Sequence, residues 1–203
     1  MIGPPNSARR RTRRSASRKE KSGGLRRQAG ATAEFAVLYG QQEIRRRVHQ
    51  LAQQMNRDFA GTTLHLVGVL ERSFIFIADL VRQLEVPVVC HFLRVIVQDE
   101  SFDGVPLRQI SYGPELRLSG KDVVLVDVIL HTGVTLDYVR AHILAQNPDS
   151  LRVAALVEKA DAKKVDVSAD YLGFRTSGKY VVGYGLGSTD GRYRHLPWIA
   201  ALH

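Results

Sequence analysis

Cysteine is almost missing: Cys90 is the one thiol in 203 residues, which excludes an internal disulfide and points to a reducing, cytoplasmic setting. Residues 88–93 are apolar apart from His91, so Cys90 reads as a small buried hydrophobe. Long apolar runs are missing too. None approaches the roughly 18 residues of a membrane span, and the Arg-rich first residues lack the apolar stretch of a secretory signal, so no membrane partner is expected. Internal repeats are absent. Most of the chain also lacks excess positive charge. The net charge is +9, and residues 1–30, with eight Arg, two Lys and one Glu, account for all of it. Residues 31–203 balance 19 basic against 19 acidic side chains, so the basic character belongs to one end and not to a folded surface.

Residues 1–30 carry almost no large apolar side chain and cannot offset their ordering entropy, so a disordered tail is expected there and one domain over 31–203. A nucleic-acid-binding arm, a transit peptide and a solvated extension all fit this composition. The nucleic-acid contact is not the favoured one.

From Gln41 the pattern changes. Ile44, Val48, Leu51, Ala52 and Met55 fall on one face of an amphipathic helix that Ala60-Gly61 ends. LHLVGVL at 64–70 predicts a buried strand, 74–84 a second helix, and PVVCHFLRVIV at 87–97 a third element, again a strand; 98–120 reads as polar and turn-rich. RVAALV at 152–157 is a further strand, closing with Glu158-Lys159. Strand and helix alternate, which implies an α/β class with a largely parallel sheet.

The centre of the chain is DVVLVDVILHTGVTL at 122–136. Its first half is apolar without polar alternation, as in a strand buried on both faces of a parallel sheet. Asp127 interrupts the run, and His131-Thr132-Gly133-Val134-Thr135 makes a tight turn into a helix at 136–144. Strand, glycine turn and helix start form an anion site, because the first helical N–H groups lack intrahelical partners and Gly133 lets the main chain come close.

This stretch resembles the phosphoribosyl diphosphate (PRPP) loop of purine phosphoribosyltransferases. Further on, DYLGF, GKYVVGYGL and RYRHLPWI, following an L-V-x-K strand end, resemble the hypoxanthine-guanine phosphoribosyltransferases, as does VGVLxxSFIFIADLVR upstream. The likeness spans about 38–203. It implies the type I phosphoribosyltransferase fold: a five-stranded parallel core flanked by helices, with a small hood. It also implies purine salvage, in which a 6-oxopurine (hypoxanthine or guanine) and PRPP give a nucleoside monophosphate and pyrophosphate, with Mg²⁺ as cofactor and a homo-oligomer expected.

By the same likeness Tyr180 stacks on the purine, Lys159 donates to its exocyclic oxygen and Val181 offers backbone groups to its edge. Lys179, grouped with these purine-binding residues, and Arg194 meet phosphate or pyrophosphate charge. The loop 131–135 and Arg72 bind PRPP, Asp127 accepts from the ribose hydroxyls, His131 replaces the family's catalytic Asp, and Asp127 with Asp190 would hold metal. Four departures stand at the reacting end: Glu71 for a Lys, Val128 and Gly187 each for an acid, and a covering loop trimmed to 110–114. An impaired PRPP- or nucleotide-binding regulator is therefore the alternative to an enzyme.

Overall fold

The computed structural model describes residues 35–102, 105–112, 116–178 and 180–202; the Arg-rich tail lies outside them. Five strands make the parallel core. They are β2 (Leu64–Leu70), β3 (Val88–Phe102), β5 (Asp122–Leu130), β6 (Ser150–Lys159) and β7 (Tyr171–Thr176). With the antiparallel edge strand β4 (Val105–Tyr112) the order is β4-β3-β2-β5-β6-β7. Strand β5 occupies the middle because it alone pairs in parallel with both β2 and β6. Its residues Val123 to Leu130 are all buried, as a continuous apolar run on a doubly covered sheet requires.

Two helices cover one face of this sheet. The apolar stripe of α1 (Gln41–Asp58) packs with Phe76, Ile77 and Leu80 of α2 (Phe74–Val81) against Leu64, Leu66, Val124, Val126 and Leu156. The other face is covered by α3 (Val134–Leu144), whose Leu136, Val139 and Ile143 meet Val67, Val123, Leu125 and Val153. A second sheet, β1-β9-β8, is the hood. It joins β1 (Phe35–Tyr39), β8 (Tyr180–Val182) and β9 (Ile199–Leu202) in antiparallel pairs. Among the described residues no helix is long and apolar enough to cross a membrane.

Three local expectations need correction. The second helix stops at Val81, not at 84, and the chain turns through Gln83 N–H to Leu80 O and Leu84 N–H to Val81 O. Pro87 biases the residue before it toward extended backbone, and the chain must reach β3 there. The segment 98–120 is not turn-rich throughout, since β3 continues to Phe102 and Phe102 pairs with Val105. Cys90 is exposed, not buried. Among the described side chains of β3, Val88 packs against the α1/α2 side of the core, and Cys90, Phe92 and Ile96 are exposed beyond it.

Phe76 is fully buried where α2 meets the sheet. Phe76→Ala is expected to lower the unfolding free energy by about 3–5 kcal/mol, measured by urea denaturation. A loss well under 1 kcal/mol would show that α2 does not close this core.

Candidate functional site

Three turns meet at the carboxyl edge of the parallel strands. The turn after β2 carries Glu71 and Arg72, the turn after β5 carries His131 to Gly133, and β6 ends in Lys159. Ligand sites of open α/β sheets lie at this edge because the strand ends there leave a crevice. A cavity of about 430 Å³ opens at this edge, of a size for a small molecule. Its wall includes Glu71, Arg72, His131, Lys159, Tyr180 and Arg194. A smaller hollow of about 100 Å³ adjoins it, lined by Thr132, Gly133 and Asp127 and sharing Arg72, His131 and Thr135 with the larger one.

The small hollow lies at the strand-turn-helix junction where the sequence implies an anion cradle. Gly133 has φ +84° and immediately precedes α3, so the turn needs a left-handed residue. A Cβ there would also stand 3.0 Å from the Val165 carbonyl oxygen. The carbonyl of Thr132 accepts N–H groups from Lys164 (2.9 Å) and Val165 (3.2 Å), which fixes the loop against the segment after β6. Val134 opens α3 and is not part of either cavity wall.

Asp127 and Arg72 organise the floor. Asp127 is 0% exposed, and its two oxygens accept from Arg72 Nε (3.1 and 3.3 Å) and Nη2 (2.9 Å). Burial pushes the Asp127 carboxyl above its ordinary value; Arg72 and the N–H groups of Val128 and Ile129 pull it back. Arg72 is raised in turn by the carboxylate beside it, and a guanidinium keeps its proton near neutral pH. The sequence assigned Asp127 to ribose hydroxyls, catalysis and metal; the structure lines the small hollow with it and engages its carboxylate with Arg72. Through that pairing Asp127 holds Arg72 at the edge of the hollow.

Asp190, expected as a metal ligand, stands apart from this cluster. It lies outside both cavity walls, with its carboxylate accepting from Ser188 and paired to Arg192. Lys179 lies outside the described residues. Tyr180 is half exposed on the cavity wall and donates its hydroxyl hydrogen to the Gly187 carbonyl at 3.0 Å, and Val181 is buried beside it. His131 is lowered below the usual imidazole value, first by partial burial and then by the cations Lys159 and Arg72. It is therefore neutral near pH 7 and able to accept a proton.

Sequence reasoning missed Arg94. It lines the cavity and sits on β3 with its Cα paired to that of Leu70. An arginine interrupting the apolar run PVVCHFLRVIV was the available signal. Also missed was β1, which lies some 160 residues from its partner β9 and gives no local sign of the pairing.

Residues 36–188 match the phosphoribosyl transferase domain family. A hypoxanthine-guanine phosphoribosyltransferase of Dictyostelium discoideum is 32% identical over 82% of this chain and 94% of its own. The hypoxanthine phosphoribosyltransferase of Salmonella typhimurium is 33% identical over 82% and 94%. Among solved structures, a hypoxanthine-guanine phosphoribosyltransferase from Bacillus anthracis superposes with a TM-score of 0.74 at 31% identity, covering 85% of this chain and all of that one. The hypoxanthine phosphoribosyltransferase of Trypanosoma cruzi in a ternary substrates complex gives 0.78 at 31% identity, covering 84% and 96%.

The floor pair has an asymmetry that denaturation can measure. Arg72→Met leaves a buried carboxylate without its cation and is expected to cost about 3–5 kcal/mol. Asp127→Asn leaves an arginine whose side chain is 37% exposed and can turn to water, and should cost about 1–2 kcal/mol. The unpaired carboxyl of Arg72→Met would have a folded-state pKa above its unfolded value, so its stability is present in acid and lost as pH rises through that value. The deficit against the parent protein should therefore be larger at pH 8 than at pH 5. Equal costs for both variants would refute this account of the floor.

Proposed function

The chain belongs to the phosphoribosyl transferase domain family, and from that premise we propose that it is a purine salvage enzyme joining a 6-oxopurine, hypoxanthine or guanine, to PRPP. In the proposed reaction the purine N9 attacks the anomeric carbon and the carbon–oxygen bond to the diphosphate breaks with its electron pair. The N7 proton leaves to a base, giving a nucleoside monophosphate and pyrophosphate. The observation that carries the reading is the convergence of Lys159, Tyr180, His131, Arg72 and Arg194 on one cavity. An aromatic face and an ammonium donor suit a flat 6-oxo base, while the arginines and the adjoining cradle suit phosphates. The barrier falls through positioning and electrostatics, with no covalent intermediate.

His131 is the proposed proton acceptor. Its lowered pKa keeps it neutral at working pH, and Lys159 and Arg72, which disfavour its charged form, flank it. Magnesium is the cofactor that the family implies. Among the described residues no three His, Cys, Asp or Glu side chains gather to hold a metal ion. Asp127, Asp190 and Glu71 each already pair with arginine. These residues do not fit a magnesium site built by the protein alone; a hard cation held by diphosphate oxygens and water does not need one. A cytoplasmic setting accords with the exposed, unpaired Cys90. Assembly with further copies accords with Phe92 and Ile96 exposed on one face of β3.

The deciding assay incubates purified protein with PRPP, Mg²⁺ and hypoxanthine or guanine. Monophosphate formation is expected, and PRPP binding without turnover would favour the regulator. Lys159→Ala should weaken 6-oxopurine binding by about 1.5–3 kcal/mol, the range for a hydrogen bond to a charged group, and leave PRPP binding nearly unchanged. Equal loss for both ligands would remove Lys159 from the base contact.

The pH dependence tests His131. Because its pKa lies below the ordinary 6.5, the rate on saturating substrates should be flat above neutrality and fall as pH drops through that value. PRPP affinity should rise over the same range, as an imidazolium forms beside the phosphates. His131→Ala should be slower by about 10²–10⁴-fold, the usual contribution of a general base, and should lose the acid limb. A variant with the parent rate and profile would exclude His131 as the base.

A further inference from the structure

The cavity wall holds four cations, Arg72, Arg94, Lys159 and Arg194, and one carboxylate, Glu71. That carboxylate is divided between two arginines. Its Oε1 lies 3.0 Å from Arg94 Nη2 and its Oε2 lies 3.8 Å from Arg194 Nη2. A group with two anionic oxygens, each facing a different guanidinium, has the charge pattern of a bridging diphosphate. Arg194 is fixed for that task, since its Nη1 donates to the Gly185 carbonyl at 3.0 Å and the Gly185 N–H donates to the Arg194 carbonyl at 2.9 Å. The path of its side chain depends on Gly187, where a Cβ would stand 3.0 Å from Arg194 Nε and 3.1 Å from its Cγ. Arg94 is anchored through its strand, and its side chain is 62% exposed, free to follow an anion.

We propose that Arg94 and Arg194 form a diphosphate clamp whose resting occupant is the carboxylate of Glu71. An incoming diphosphate displaces Glu71 and takes over both guanidinium groups. Glu71 therefore acts as a built-in competitor. It bridges the two arginines and partly neutralises them while the site is empty, and it weakens the hold on a diphosphate once one is present. In the proposed reaction that weakening limits retention of the product. Arg94 thus joins the anion-binding residues, and Glu71 becomes a determinant of affinity instead of a lost cation. The inference rests on the proposed function for the identity of the diphosphate, but the clamp itself is testable without turnover.

The experiment is calorimetric titration of inorganic pyrophosphate, at fixed ionic strength and magnesium, into the parent protein and into Glu71→Gln, Glu71→Ala, Arg94→Ala and the Arg94→Ala/Glu71→Gln double variant. Removing a competing charge 3.0 Å from Arg94 and 3.8 Å from Arg194, both partly exposed, should tighten pyrophosphate binding roughly two- to five-fold in both Glu71 variants. Arg94→Ala should weaken it by a similar factor, and the gain from Glu71→Gln should shrink in the Arg94→Ala background, because the two residues act on one another. The Glu71 effect should fade as salt is raised. Unchanged or weaker binding in both Glu71 variants, or an Arg94→Ala protein that binds as the parent does, overturns the clamp.

A parallel titration with PRPP identifies the source. Tightening for both ligands puts the substrate's diphosphate in the clamp, and tightening for pyrophosphate alone makes it a product site. Either supports the proposal. An inactive protein that still binds pyrophosphate more tightly when Glu71 is neutralised would refute the proposed function and keep the clamp. An active one that shows no such gain would do the reverse.

Discussion

The buried contact between Asp127 and Arg72 is the constraint on which the site depends. Strand β5 is buried on both faces from Val123 to Leu130, so a carboxylate in its midst cannot be solvated and must be matched by a charge within reach. The turn after β2, the neighbouring strand, delivers that charge. Two loops that would otherwise be independent are thereby tied at the same edge of the sheet. The hood is tied in through the same residue. Gly185 has φ +96°, and a Cβ there would stand 2.0 Å from the Arg72 carbonyl oxygen, so the hood backbone rests directly on the residue that Asp127 holds. Core, cradle and hood share one ion pair whose carboxylate is buried.

This arrangement separates what the residue order reveals from what it hides. The apolar run at 122–130, the stripe of α1 and the Gly133 turn were legible because each is a local pattern whose period or turn chemistry has one structural solution. The parallel core followed from alternation of strand and helix. Pairing was not legible. Asp127 and Arg72 both stood among the site residues, yet each was assigned to a ligand. Sequence alone does not tell whether two opposite charges 55 positions apart face a ligand or each other. The exposed Cys90 has the same origin, since an apolar run shows that a strand is buried somewhere without showing where helix cover ends. The β1 strand of the hood escaped because its partner is at the other end of the chain, and the pairing of β3 with β4 because the polar composition of 98–120 reads as turn.

The departures at 71, 131 and 187 take on a common sense once their neighbours are known. Each changes the charge or bulk of a cavity already rich in cations, and none touches the core. Cationic surroundings disfavour a second positive charge, which is why His131 is held below its ordinary pKa by Lys159 and Arg72. The same surroundings favour any carboxylate that can reach them, and Glu71 is the one on the cavity wall. In the proposed reaction an imidazole kept neutral by its neighbours can accept the proton, and Arg94 and Arg194 can carry the anion-binding work beside Glu71. Gly187 then gives Arg194 the room to do so. The net effect is a redistribution of charge within one cavity. Asp127 lies at the floor of the adjoining hollow, is 0% exposed and is held by Arg72. The floor can therefore stay rigid while the wall above it exchanges one anion for another.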